Sequence, residues 1–191
     1  MTDLYERRGG EQVYQPAEDS DLLARAAARR LGGDERVLDV GTGSGYVAAT
    51  VAAATGARVI GADVSPLAVR EARERGVPVV RADLLDPFRD GAFDAVLFNP
   101  PYLPTDPAHE WDDWMERALS GGPDGRRVVD PFLADVRRVL RPDGRVFLLV
   151  SSLTDVETVR ETGRENGLDG EVIAEESFPF ERLVVLELRA V

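Results

Sequence analysis

The chain has 191 residues, 43% hydrophobic and 30% charged, with a formal net charge of -12, which is the composition of a globular domain with one full core and excludes a disordered or collagen-like chain. No apolar run reaches the ~18 residues of a membrane span, and residues 1–30 lack the apolar centre of a signal peptide, so a cytoplasmic protein without membrane partners is expected. With no Cys and one His, His109, the chain has no material for a disulfide framework, a Cys nucleophile, a zinc site or a comfortable His-based triad, and no metal is expected.

The charge has a second aspect, because all 23 basic residues are Arg and none is Lys. An acidic surface argues against nucleic-acid partners, which need clustered Lys and Arg. Acidic excess without Lys in an Ala- and Val-rich chain is also the pattern of adaptation to high salt, where self-repulsion is screened. The charge is therefore mild evidence about partners.

Apolar runs and helical patterns alternate along the chain, with no Ser/Gly/Pro-rich linker, and predict one domain over residues 1–191. A helical pattern over 17–31 forms an N-terminal extension, residues 1–35. It precedes a strand over 36–40, a helix over 45–55 and a strand over 57–62. Ser65 followed by Pro66 starts a helix over 66–75, as an N-cap with Pro at the first helical position. Strands over 77–82 and 93–98 follow. Residues 105–127 are polar, carry Trp111 and Trp114, and end in Ser120-Gly121-Gly122-Pro123-Asp124-Gly125; they read as an irregular insertion on the substrate side. A helix over 130–140, a turn at Arg141-Pro142-Asp143-Gly144, a strand over 144–151, a helix over 155–166 and strands over 171–174 and 183–188 complete the pattern. Seven short strands, mostly apolar on both faces, predict an α/β doubly wound, mostly parallel sheet with helices on both faces and an antiparallel end.

The first strand, Val37-Leu38-Asp39-Val40, runs into Gly41-Thr42-Gly43-Ser44-Gly45. This places a glycine-rich turn at the carboxyl edge of the sheet, where ligands bind in this architecture. Asp63 ends the second strand, 22 positions after Gly41, where a carboxylate can accept from both ribose hydroxyls; the lesser alternative is a cap for the helix after Ser65. A dinucleotide fingerprint needs glycine at position 46, which is Tyr, and the loop has no Gly-Lys-Ser or Gly-Lys-Thr phosphate clamp. An adenosine ligand without pyrophosphate fits best. Asp39 would repel a phosphate but attract an ammonium or, through water, a sulfonium, which points to S-adenosylmethionine, leaving as S-adenosylhomocysteine.

The fourth strand delivers Asn99-Pro100-Pro101-Tyr102 to the same edge. A planar amide or aromatic amine is a poor nucleophile because its lone pair is delocalised. The Asn99 side-chain oxygen and the Pro100 carbonyl could each accept one N–H of such a group, orient it and offset the charge that builds during transfer. The prolines stiffen the loop and Tyr102 offers a stacking face. On this reading Asn99, Pro100 and Tyr102 are catalytic, and Asn99, Pro100, Pro101 and Tyr102 hold the substrate.

The order Asp39-Val40-Gly41-Thr42-Gly43-Ser44-Gly45, Asp63, Asp83-Leu84 and Asn99-Pro100-Pro101-Tyr102 resembles the Rossmann-like class I S-adenosylmethionine-dependent methyltransferases that modify planar amino nitrogens. Tyr14-Gln15-Pro16-Ala17-Glu18-Asp19-Ser20 and Gly121-Gly122-Pro123-Asp124-Gly125-Arg126 narrow the resemblance to the short HemK-like branch of archaea and eukaryotes. That branch methylates the glutamine of the Gly-Gly-Gln motif in class 1 translation termination factors. The resemblance implies that Ser20, Asp39 and Gly41 contact the methionine portion of the cofactor or its surroundings; Gly43 of the same loop is also expected to bind the cofactor. It assigns Asp63 to the ribose, Asp83 and Leu84 to the adenine, and Asn99 to the substrate amide. It further implies a small zinc-binding activator subunit pairing with the edge strand at residues 77–82. Bacterial relatives carry an N-terminal helical domain that grips the termination factor; about thirty-five residues precede the first strand here, so substrate docking falls to residues 105–127 or to a second protein. The alternative of the same chemistry is a DNA or RNA adenine-N6 methyltransferase, which needs a cationic track and usually a recognition domain; neither is visible. From another class, a module that only binds the cofactor would have no use for Asn99 and Tyr102.

Overall fold

A computed structural model describes residue 13, residues 15–105 and residues 114–191. Tyr14, His109 and Trp111 lie outside the described residues. The elements in chain order are α1 (Glu18–Ala28), β1 (Arg36–Val40), α2 (Tyr46–Thr55), β2 (Arg58–Asp63), α3 (Pro66–Glu74), β3 (Val79–Arg81), β4 (Phe93–Phe98), α4 (Trp114–Leu119), α5 (Val129–Val139), β5 (Leu140–Ser151), α6 (Val156–Glu165), β6 (Leu168–Ser177) and β7 (Arg182–Ala190). No helix among the described residues is long and apolar enough to cross a membrane.

The strands form one seven-stranded sheet in the order β3-β2-β1-β4-β5-β7-β6. β3 through β5 run parallel, and β7 pairs antiparallel with both β5 and β6. Alternation along the buried strands feeds two cores. Leu38, Val40, Val96 and Phe98 pack with Phe132, Leu133 and Val136 of α5. Val37, Ala95 and Leu97 pack on the other face with Leu23 of α1 and Val47 and Val51 of α2. The chain leaves β1 outward through β2 and β3, then returns to β4 on the other side of β1. That reversal opens a crevice beyond the carboxyl ends of β1 and β4, the ordinary ligand position in such sheets. The register sets Val40 beside both Ala62 and Phe98, so Gly41, Asp63 and Asn99 emerge side by side.

Ser65 caps α3, its hydroxyl accepting from the N–H groups of Leu67 (3.2 Å) and Ala68 (3.4 Å) with Pro66 in the first turn. Four features depart from the sequence reading. The 141–144 turn lies inside β5: the register with β4 jumps from Phe93–Leu140 to Ala95–Arg145, Asp143 takes a φ of +65°, and Arg141 pairs with Asp94 at 3.0 Å across the irregularity. β6 extends over ten residues instead of four, because the β7 ladder orders a segment whose Glu171 and Glu175 face solvent and break the apolar pattern. Residues 105–127 contain the helix α4. β3 is shorter than 77–82: the Val77 N–H closes the end of α3 on the Ala72 carbonyl (3.0 Å), and the Pro78 carbonyl accepts from Gly61 N–H (2.8 Å). The position without an N–H therefore sits at the start of the strand on its inner side, not on the outer edge.

Candidate active site

A cavity of about 980 Å³ occupies the crevice, and every expected site residue lines it: Ser20, Asp39, Gly41, Gly43, Asp63, Asp83, Leu84, Asn99, Pro100, Pro101 and Tyr102. Its volume is at the upper end for small-ligand sites, leaving room for a cofactor and an acceptor chain together.

The glycine loop forms one wall. Gly41, Gly43 and Gly45 have φ of +61°, +55° and +80°, a region where a side chain is strained. At Gly45 a Cβ would also stand 3.0 Å from the Ala72 Cβ of α3, so this glycine lets α2 start against α3. Asp63 braces the loop, Oδ2 accepting from Gly43 N–H and Oδ1 from Ser65 N–H, both at 2.9 Å. Since Ser65 itself caps α3, Asp63 is not the cap; each of its oxygens keeps a lone pair for a ligand hydroxyl. Burial pushes its pKa up against the lowering effect of these backbone bonds. At the next strand end Leu84 holds a φ of +44°, an uncommon conformation for a branched side chain, beside exposed Asp83.

Asp39 is buried (2% exposed). It accepts from the Thr42 hydroxyl at 2.6 Å. α2 has Gly45 at its N-cap and no side-chain cap there, so its first-turn N–H groups, Ala48 among them, act on Asp39 as favourable dipoles. Burial is the main cause that pushes its pKa up to about 7, with Asp63 adding repulsion and the Thr42 bond and the Ala48 N–H opposing. Its folded pKa thus lies above the unfolded value, and the folded state binds the proton more tightly. Stability from this group is full below about pH 4 and is lost as pH rises through about 7, a loss of ~4 kcal/mol in order of magnitude. The stability difference between wild type and Asp39→Asn in urea unfolding should therefore shift toward the variant between pH 4 and pH 7. A difference that stays constant across that range would mean that Asp39 ionises freely.

The Asn99 loop forms the other wall. The Asn99 Nδ2 donates to Asp19 Oδ2 at 3.2 Å and lies 3.4 Å from Ser20 Oγ. Its Oδ1 is buried with no partner among the described residues. Beyond Tyr102 the chain is clamped from behind: Leu103 N–H donates to the Leu119 carbonyl (3.0 Å), Gly121 N–H to Leu103 (2.9 Å) and Thr105 N–H to Gly122 (2.9 Å). Gly125, at φ +76°, lies so close that a Cβ would come 2.6 Å from the Tyr102 carbonyl oxygen. The glycines of residues 121–125 therefore back the reactive loop rather than touch a ligand.

Several wall residues were not foreseen. Asp19 stands next to Ser20 in a motif already singled out, so a signal existed. Thr42 lies within the glycine loop. Trp114, Arg117 and Arg127 come from the insertion; Arg117 stacks over Trp114 at 5.2 Å, and Arg127 donates to the Ser120 carbonyl at 3.2 Å. Glu181, in the turn between β6 and β7, reaches the wall through a 2.8 Å bond from the Ser151 hydroxyl, and nothing local in the sequence marks it. Around the glycine loop the titratable wall residues, Asp39, Asp63 and Asp83, are all acids, an environment that suits a cationic, hydroxyl-bearing ligand, whose charge would favour ionised Asp39, better than a phosphate.

Sheet order, glycine loop and an acid at the end of β2 together define a Rossmann-like methyltransferase. A family model described as "Methyltransferase domain" matches residues 37–122. A Methanocaldococcus jannaschii protein named for protein N5-glutamine methyl transfer is 35% identical over 182 residues, covering 92% of this chain and 90% of that one. Human methyltransferase HEMK2 is 34% identical over 189 residues, covering 92% and 88%. The structure of the E. cuniculi Mtq2-Trm112 complex, responsible for methylation of the eRF1 termination factor, superposes with a TM-score of 0.77 at 28% identity, over 93% of this chain and 98% of that one. The chain belongs to the HemK-like family of protein glutamine methyltransferases.

Proposed function

We propose that this enzyme transfers a methyl group from S-adenosylmethionine to the side-chain amide nitrogen of the glutamine in the Gly-Gly-Gln motif of a class 1 translation termination factor, in the cytoplasm. The observation that carries this reading is Asn99, whose amide is turned so that its oxygen remains as a buried acceptor without a partner among the described residues. When bound, the cofactor would supply an electrophilic methyl carbon whose leaving group is a neutral thioether; the substrate nitrogen would gain the N–C bond and release one proton to solvent. Asp63 receives the ribose hydroxyls, Ser20, Asp39, Gly41 and Gly43 surround the methionine portion, and Asp83 and Leu84 the adenine. Asn99 Oδ1 and the Pro100 carbonyl accept the two N–H bonds of the substrate amide and favour the positive charge developing on its nitrogen. Tyr102 lies against the amide plane. Leu103 and Val64, both on the wall, are exposed, and Phe180, next to Glu181, is 94% exposed. This apolar rim suits a protein loop better than a nucleic-acid strand.

The test is mass spectrometry of a termination factor incubated with enzyme and labelled cofactor. Label should appear on the glutamine and vanish when only that residue is changed; label that persists elsewhere would overturn the assignment.

An activator subunit fits the outer edge of β3. Pro78 and Ala82 direct their main-chain groups to β2, so by alternation Val79 and Arg81 turn theirs outward. Partly exposed Val79 and Val80 add apolar area to main-chain pairing. Val79→Arg should release the partner in a pull-down while the isolated chain binds cofactor as before. A wild-type chain that is monodisperse and fully active alone would overturn the heterodimer.

A further inference from the structure

Asp19 sits in the first turn of α1 at 4% exposure, behind the reactive loop. Its two oxygens are divided between two tasks. Oδ1 accepts from the Ser20 N–H at 2.6 Å and the Ser20 hydroxyl at 3.2 Å; Oδ2 accepts from Asn99 Nδ2 at 3.2 Å. A carboxylate only accepts, whereas a side-chain amide has one donor face and one acceptor face that a half-turn exchanges. Facing a carboxylate, the Asn99 amide has one allowed orientation, with NH₂ toward Asp19 and oxygen on the other side, where no described residue pairs with it. Rotating the amide would set two oxygens against each other in a buried space, a costly arrangement.

We infer that Asp19 is the positioning residue that fixes the polarity of the Asn99 amide, so that the site presents an acceptor and selects a neutral NH₂ group as methyl acceptor. The inference rests on the proposed glutamine substrate for its kinetics, and on geometry alone for the orientation. It also gives α1 a role in the reaction: the helix carries the group that orients a residue 80 positions later in the chain.

The test is Asp19→Asn, which keeps size and shape but offers Asn99 a donor as well as an acceptor. At saturating cofactor, kcat should fall about tenfold or more while KM for the termination factor and cofactor affinity by calorimetry stay within about twofold. In an Asn99→Ala background the same change should cost nothing further, because the group it positions is gone. In the wild-type chain the Asn99 side-chain NH₂ protons, assigned by their loss in Asn99→Asp, should be slowed in exchange. This reading needs no Asp19 variant to fold. In Asp19→Asn they should shift and exchange faster.

Activity restored by excess cofactor would make Asp19 a cofactor ligand and overturn the inference. So would additive losses in the double variant, or fast-exchanging Asn99 protons in wild type. If wild type fails to modify the glutamine while those protons stay protected and depend on Asp19, the substrate reading fails and the orientation stands.

Discussion

Asn99→Ala should lower kcat by more than about a hundredfold, ~3 kcal/mol of lost transition-state stabilisation, with cofactor affinity nearly unchanged. The size follows from what is removed. Asn99 Oδ1 is a preoriented acceptor in a buried position, so it needs no rearrangement when charge develops on the amide nitrogen. Ala leaves the Pro100 carbonyl as the remaining acceptor and also removes the bond from Asn99 Nδ2 to Asp19 Oδ2, which should lower stability by about 1 kcal/mol. Single-turnover transfer of labelled methyl, with calorimetry of cofactor binding beside it, separates the two effects. A variant that keeps half its activity would end the proposed role of the Asn99 loop.

Asp63→Ala should act on the opposite half of the site, weakening cofactor binding about thirty- to a hundredfold with much smaller effect on kcat at saturation. A carboxylate bonded to two hydroxyls contributes ~2–3 kcal/mol in a half-buried position. The same substitution frees the Gly43 and Ser65 N–H groups that Asp63 holds, so the glycine loop loses its brace. Asp63→Asn, which can still accept from one of these donors, should fall between wild type and Ala. Calorimetry measures the series; equal affinities across it would confine Asp63 to holding the loop.

The parts of this molecule that were legible in the sequence are those governed by neighbours in the chain. Gly41, Gly43 and Gly45 mark a turn because positive φ is a local requirement, and Ser65-Pro66 marks a helix start because the cap bonds span two and three residues. The parallel strands announce themselves as short apolar runs because both faces are buried. β6 showed only its middle, 171–174: as an edge strand with Glu171 and Glu175 toward water, its remaining length is ordered by its ladder to β7 rather than by its own pattern. The residues 141–144 carry every local sign of a turn, yet the partner strand β4 and the Arg141–Asp94 pair draw them into β5 as an irregularity.

For the site, the sequence by itself determined the residue types on offer: a glycine loop without a phosphate clamp, an acid at the end of the second strand, and an Asn-Pro-Pro-Tyr loop at the same sheet edge. Only the tertiary structure decided how those groups are charged and aimed. Asp39 reads as an ordinary acid, and burial beneath α2 is what pushes it up to about 7. Gly125 reads as a turn glycine, and the approach of the Tyr102 carbonyl is what requires it. Asn99 could present either face, and Asp19, brought from α1 across the sheet edge, selects the oxygen. Burial, close approach and hydrogen-bond polarity are all relations between segments far apart in the chain, and the seven-stranded order is what creates them.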